Sequence, residues 1–327
     1  MPQLRIATWN VENLFVPAQG APQAEHAAFD AKLTFLAQTI TALDPDVIAL
    51  QEVGGDAALQ SLRAVLNAYQ HGRVGVADGR GIACAFLSKL PLETPANIVD
   101  FPAEVRALGA TDTNGTALQR MGRGALRVRV TKSGFSTDLI SVHLKSKLLT
   151  FPQPGGGTAF STNDETVRAQ AAALALMRRT AEAATVRIAA NAIVEDDNVN
   201  ALAILGDFND GQNAATTQIF QGPDGSELDT RGFDMPDQGD DARLWNLAPL
   251  IAEDRRFSRI HRGQGELLDQ IFVSQEFFPR EDTGDRRLPT LVDSIVEHIR
   301  SIGDNPSARA GEARPDHAPV VATFEIG

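Results

Sequence analysis

The stretch ALRVRVTKSGFSTDLISVHL, residues 125–144, decides the fold class of this chain. It reads as two strand-sized runs joined by a short turn at Ser133-Gly134, so the two strands must run antiparallel. A purely parallel dinucleotide-binding sheet has no place for such a hairpin. Neither a G-x-G-x-x-G following the first strand nor a G-x-x-x-x-G-K-[ST] loop occurs in the chain, which removes the two common nucleotide folds.

Outward from the hairpin, short and partly alternating apolar runs recur: RIATWNV, VIALQEV, IACAFLS, ALAILGDF, LLDQIFVS and APVVATFEI. Each is rich in Ile, Val, Leu or Phe and is strand-sized. Helical patterns lie between them. Phe29, Leu33, Leu36, Ile40 and Leu43 fall on one helix face, which Asp44-Pro45 ends. A second helix is expected after Gly54-Gly55 through Leu59, Leu62, Val65 and Leu66, and a long Ala-rich one from a Thr162-x-x-Glu165 box toward Ile193. FPQPGGGTAF (151–160) and the segments near 108–116, 222–241 and 303–315 read as loops. The expected architecture is α/β, with two mixed β-sheets packed face to face and helices on both outer faces, four layers in one domain spanning residues 1–327.

The 327 residues, 43% hydrophobic and 22% charged, suit a large buried core. One cysteine, Cys84 in IACAFL, excludes an internal disulfide framework and a cysteine zinc cluster, and reads as a small buried hydrophobe. No membrane-length apolar run occurs, and the start MPQLRIATWN has no secretory pattern. A soluble monomer is therefore expected, cytoplasmic by default and secreted if a leader has been cropped. A net charge of −12 counts against a protein that grips long nucleic acid, although Arg120, Arg123, Arg127 and Arg129, and Arg255, Arg256, Arg259 and Arg262, concentrate positive charge locally.

Polar residues of one kind recur where strands end: Asn10 and Asn13 in TWNVEN, Glu52 in ALQEV, His143 and Lys145 in SVHLKS, Asp207 and Asn209 in LGDFND. Asp269 interrupts LLDQIFV, and Asp316-His317 precede the last strand. In extended chain His143 and Lys145 share a face, as do Asp207 and Asn209. Singly each has an ordinary explanation; LGDFND, for instance, is a natural Asx turn. Carboxylates and imidazoles in apolar runs are costly unless paired or metal-bound, and their recurrence at successive strand ends points to one shared rim.

In this order TWNVENLF, IALQEV, SVHLKS, LGDFND, LDQIFVS and PDHAPV resemble the motifs of the endonuclease/exonuclease/phosphatase family, which has the deoxyribonuclease I and exonuclease III fold. The likeness covers nearly the whole length and is strongest to bacterial members with HLKS and a following helical arginine, here Arg168. It implies a divalent cation, Mg²⁺ with Mn²⁺ as substitute, held by Glu52 with Asp316 and Asn10. It further implies Asp207 as the group acting on the attacking water, Asn209 and His143 on the phosphate, and His317 held by Asp269. Lys145 and Arg168 add positive charge. Gln270 stands where many relatives have histidine, and Pro315 where serine is common.

The implied activity is metal-dependent hydrolysis of a phosphodiester, with DNA or RNA as the leading substrate, cut internally or from an end. A small phosphate ester or phospholipid head group is the alternative substrate. A binding module of the same fold without turnover is the third reading, disfavoured by the complete set of carboxylates and histidines.

Overall fold

Ser133 and Gly134 both adopt positive φ (52° and 85°), the geometry a two-residue hairpin turn requires, and residue Lys132 pairs with Phe135 across it. The hairpin inferred from residues 125–144 therefore forms. The computed structural model describes residues 1–152, 158–195, 201–221, 228, 243–279 and 286–326. The expected loop at 222–241 lies outside the described residues except for Leu228, as do residues 153–157 of FPQPGGGTAF.

In chain order the elements are β1 (Gln3–Leu14), α1 (Gln23–Leu43), β2 (Val47–Val53), α2 (Asp56–Ala64), β3 (His71–Val74), β4 (Ala83–Ser88) and β5 (Glu93–Asp100). There follow α3 (Ala103–Arg106), β6 (Arg120–Lys132), β7 (Phe135–His143), the short pair β8 (Phe151–Pro152) and β9 (Thr158–Ala159), and α4 (Glu165–Val194). The last are β10 (Ala201–Asp207), α5 (Ala215–Gln218), β11 (Leu244–Asn246), β12 (Arg259–His261), β13 (Gln264–Glu266), β14 (Asp269–Ser274), β15 (Leu291–Ser294) and β16 (Val320–Glu325).

Two six-stranded sheets result, in the orders β15-β16-β1-β2-β4-β3 and β11-β14-β10-β7-β6-β5. Both are mixed: β1 runs parallel to β2 and β7 parallel to β10, while the other pairs are antiparallel. The inner faces meet in a core of Leu4, Ile6, Cys84, Phe86, Leu126, Val128, Leu205, Val273 and Phe324. Cys84 is fully buried there, as expected, and burial pushes its thiol up to about 12, so it is inert at neutral pH.

Helices cover both outer faces. Leu36 and Ile40 of α1 and Leu59 and Leu62 of α2 pack on Trp9, Leu50 and Leu87 of the first sheet. The start of α1 has no side-chain cap, so its apolar stripe must hold it; each fully buried Leu or Ile contributes about 1.5–3 kcal/mol, more than a cap supplies. Its C-terminus is at Leu43, with Asp44 in the left-handed region and Pro45 beyond. On the second sheet Ala183, Val186, Ala190 and Ile193 of α4 pack on Ile140, Val142, Ile204 and Phe272. The cap of α4 differs from the expectation: Asp164, not Thr162, accepts the N–H groups of Thr166 and Val167, and the Thr162 hydroxyl accepts from Asp164 N–H instead. Asp164 is two residues nearer the first turn, so its shorter reach closes the cap. Val65 also departs from the second helix face; it lies past the end of α2 and is 52% exposed.

Gly206 of LGDFND is required by close approach. It pairs with Val142, and a Cβ built on it would stand 2.0 Å from the Val142 carbonyl oxygen, with φ at 151°. Backbone cannot yield there without parting β7 from β10. Gly206→Ala is expected to cost at least about 3 kcal/mol, lowering the melting temperature by roughly 5 °C or more. An unchanged thermal transition would contradict this packing.

Candidate active site

Strands β1, β2, β7 and β10 deliver their C-terminal ends, and β14 and β16 their N-terminal approaches, to one edge of the sandwich. The register does this directly: Asp207 pairs with His143 on one side and Asp269 on the other, and Asn10 pairs with Gln51, the residue before Glu52. Beneath the edge a buried polar chain joins the sheets, Thr8 Oγ1 donating to Gln51 Oε1 at 3.2 Å and Gln51 Nε2 to Ser141 Oγ at 3.1 Å. Such a chain fixes the separation of the two sheets where the site forms.

Backbone strain concentrates at the same edge. Glu12, Asn13, Glu52 and Asn209 are all non-glycine residues with φ between 49° and 64°. Each left-handed residue costs on the order of 1 kcal/mol or more, and the chain tolerates it where it aims a side chain.

Asn10 joins the two sheets' carboxylates. Its Nδ2 donates to Asp207 Oδ2 at 3.0 Å and, more weakly, to Glu52 Oε1 at 3.4 Å. Glu52 Oε2 accepts from Asn13 N–H at 2.9 Å. His143 Nε2 lies 3.4 Å from Asp207 Oδ2 and 3.9 Å from Glu52 Oε1. Burial, reinforced by the charges of Arg123, His317, Arg80 and Lys145, holds His143 well below its ordinary value, so it is neutral at pH 7.

LGDFND does form an Asx turn: Asn209 N–H donates to Asp207 Oδ1 at 2.8 Å. The turn and the chemistry are the same device, because it clamps Asp207. Asn209 Nδ2 donates to both Leu144 O (2.9 Å) and Asp207 Oδ2 (3.2 Å), so its two amide protons are engaged. In this structure the Asn209 amide is turned to Asp207 and the Leu144 carbonyl. Asp207 and Asn209 meet through this turn and not through a shared strand face, since β10 ends at Asp207. Burial pushes the Asp207 carboxyl up to about 6, with Asp269 adding to the effect and His317 opposing it.

His317 Nδ1 is 2.5 Å from Asp269 Oδ2, and its backbone carbonyl accepts from Trp9 Nε1 at 2.8 Å. Burial opposes a proton on His317, yet Asp269, Asp316 and Asp207 together lift it to about 10. Oxygen and nitrogen atoms of Asp207, Asp269 and His317 lie within 4.8 Å of one another, a spacing a metal could use. A metal there would need the His317 ring in its neutral form, whereas its carboxylate neighbours favour the proton. Asp269 Oδ1 and His143 Nδ1 are buried without a hydrogen-bond partner among the described residues. Leaving such atoms unpaired costs about 1–3 kcal/mol each, which marks them as groups kept for a ligand or solvent.

The donor set fits a divalent cation at Glu52. Among the described residues no Lys or Arg side chain hydrogen-bonds to Glu52 or Asp207, and both carboxylates converge on one asparagine amide. Asp316 reaches the site by another route: its Oδ2 accepts from Arg259 Nε at 3.3 Å and its N–H donates to Glu12 Oε2 at 3.0 Å.

Two predicted residues point elsewhere. Strand β7 stops at His143, so Lys145 does not share its face; Lys145 Nζ donates to the Ser146 and Leu148 carbonyls, and burial beside Arg178 and Arg123 lowers it to about 8. Arg168, exposed in the first turn of α4, pairs with Glu165. Gln270 is a strut, donating to Asp210 O and accepting from Asn246 Nδ2 at 2.7 Å. Most of the clustered arginines are paired within the chain: Arg127 and Arg129 hold buried Asp138, Arg255 holds Asp293 and Glu297, and Arg262 holds Asp304 at the surface. Sequence reading missed Glu12, Lys32, Arg80 and Arg309. Of these Arg80, between Gly79 and Gly81, has a 70% exposed side chain and pairs with Asp78 through Nη2 at 3.1 Å, and its charge is felt at His143.

The profile of the Endonuclease/Exonuclease/phosphatase family matches residues 7–290, the span that carries the site groups other than Arg309, Asp316 and His317. The chain belongs to that family. A search of curated proteins found no match. Among solved structures the chain is similar to a D. rerio TDP2 humanized by 14 mutations, at 17% identity over 99% of each chain and a TM-score of 0.58. It is similar to the human nocturnin catalytic domain with bound sulfate anion, at 16% identity over 99% of this chain and 95% of that one, TM-score 0.59. An endonuclease/exonuclease/phosphatase from Bacteroides vulgatus matches at 15% identity over 100% of both, TM-score 0.53. At these identities the family fold is what is shared. No helix among the described residues is long and apolar enough to cross a membrane.

Proposed function

We propose that this family member is a divalent-cation-dependent phosphoesterase that hydrolyses phosphodiesters, with DNA or RNA as the leading substrate. The observation that carries the reading is the Asp207 carboxylate, clamped by Asn10 and Asn209 and set between Glu52 and the protonated His317. Asp207 takes the proton of the attacking water, and Asn10 and Asn209 keep its oxygens aimed. His317, its charge maintained by Asp269, donates a hydrogen bond to a phosphoryl oxygen as charge builds there. His143, neutral, adds a second imidazole beside the reacting centre. Glu52, Asn10 and Asp316 would hold Mg²⁺ or Mn²⁺, which when bound supplies Lewis-acid stabilisation of phosphoryl charge. Arg80, whose charge is felt at His143, is assigned to the incoming phosphate.

A D. rerio TDP2 solved with a single-strand DNA product supports the polymer reading. A specific observation favours the small-ester reading: a net charge of −12, with most of the clustered arginines committed to internal partners. The chain is expected to hydrolyse plasmid DNA, RNA or bis-p-nitrophenyl phosphate with Mg²⁺, to fall to background in EDTA and to recover with Mn²⁺. Salt then separates the substrates, since polymer binding falls steeply with salt through counterion release while a small ester responds weakly. Hydrolysis unaffected by chelator, or none on any diester or inositol phosphate, would refute the reading.

A further inference from the structure

Glu12 sits at the kink where β1 leaves its ladder, in the left-handed region at φ 49° and followed by Asn13 at φ 53°. Its side chain is 14% exposed, and both of its oxygens are taken. Arg309 donates Nε to Oε1 at 2.6 Å and Nη2 to Oε2 at 2.8 Å, a fork-to-fork pair across 297 residues. Oε2 also accepts the Asp316 N–H at 3.0 Å, and the Glu12 carbonyl accepts from buried Lys32 Nζ of α1. The next residue, Asn13, gives its N–H to Glu52, and Asn10 Oδ1 accepts the Glu12 N–H at 3.0 Å. One kinked segment thus touches both residues assigned to the cation, the Glu52 carboxylate through the Asn13 N–H and the Asp316 backbone N–H through the Glu12 side chain.

We propose that Glu12 and Arg309 form a clasp that sets the position of Asp316 relative to Glu52 and so determines the affinity of the cation site, an inference that rests on the phosphoesterase reading above. Both are positioning residues. The loop carrying Arg309 and Asp316 follows a run of short turns, and the clasp ties it to the first strand. A bidentate guanidinium–carboxylate pair is directional as well as charged, so it fixes the angle at which the loop arrives. Glu12 is itself a carboxylate at the rim, but its two oxygens are already satisfied by Arg309 and the Asp316 amide. The two assignments make opposite demands on Arg309. If Glu12 ligates the cation, removing Arg309 frees a ligand; if Glu12 is a clasp, removing Arg309 loosens one.

The test is calorimetric titration of the full chain with Mn²⁺ alone, comparing wild type, Arg309→Ala, Arg309→Lys and Glu12→Gln, with melting temperatures measured in parallel. Loss of a supporting contact to a ligand typically weakens binding about 10–100-fold. Arg309→Ala and Glu12→Gln are expected in that range, and Arg309→Lys, which keeps charge but not the fork, between them and wild type. Should Arg309→Ala fail to fold, the lysine variant carries the comparison, and wild-type affinity in it overturns the clasp. Equal or tighter Mn²⁺ binding by Arg309→Ala overturns it too while leaving the phosphoesterase reading intact. No Mn²⁺ binding by wild type overturns both.

Discussion

Asp207→Asn is expected to leave the fold standing and to cut hydrolysis by about 10³-fold or more, because it removes the one carboxylate placed to take a proton from water. The side chain keeps its volume, and its oxygen can still accept from Asn209 N–H, which lies 2.8 Å from Oδ1 in the native protein. Its new amide would face the Asn10 Nδ2 donor that now lies 3.0 Å from Oδ2, a donor-to-donor contact. That mismatch costs about 1–3 kcal/mol. It is offset in part because burial already opposes ionisation at this position, holding the carboxyl at about 6. Stability should therefore change little while turnover collapses. The pair of measurements is the initial rate on bis-p-nitrophenyl phosphate with Mg²⁺ and the circular-dichroism melt; wild-type rates in a folded variant would remove Asp207 from the mechanism.

Asp269→Asn should be nearly as damaging, and its mark is a displaced pH profile. In the native protein activity is expected to rise as Asp207 loses its proton near pH 6 and to fall as His317 loses its own near pH 10, giving a broad plateau between. Asp269 is the main support for the His317 proton, since burial alone pulls the other way. Without that carboxylate the imidazolium loses its partner at 2.5 Å, and the alkaline limb moves down toward or below neutrality. The sign is fixed: a proton held up by an opposite charge leaves at lower pH once the charge is gone. At a comparable carboxylate–imidazole pair, an Asp-to-Asn change costs about 10⁴ in kcat. Rate profiles of both proteins across pH 5–11 decide the matter, and an alkaline limb that stays where it was would show that Asp269 does not govern His317.

Several site residues were legible because the sequence exposes a conflict at each of them. Glu52 ends an apolar run, Asp269 opens one, and His143 lies in a strand buried on both sides; each breaks a pattern that burial otherwise enforces. The hairpin at Ser133-Gly134 was legible for a different reason, since its turn demands residues that tolerate positive φ. Lys145 misled because period-two reasoning holds only while a strand continues, and β7 ends at His143. The arginine clusters misled because charge on paper carries no partner. Asp138 lies 9 and 11 residues from Arg129 and Arg127, and Asp293 lies 38 residues from Arg255.

The sequence by itself determined the two-sheet architecture, the helix faces and the carboxylates, amides and imidazoles that end the strands, because periodicity and the cost of burying charge act locally. Tertiary structure alone decided the partners: Arg309 on Glu12, Arg259 on Asp316, both protons of Asn209 spent inward, and His317 kept charged among three carboxylates. Distance and burial set those pairings, and neither exists until strands from both ends of the chain share an edge.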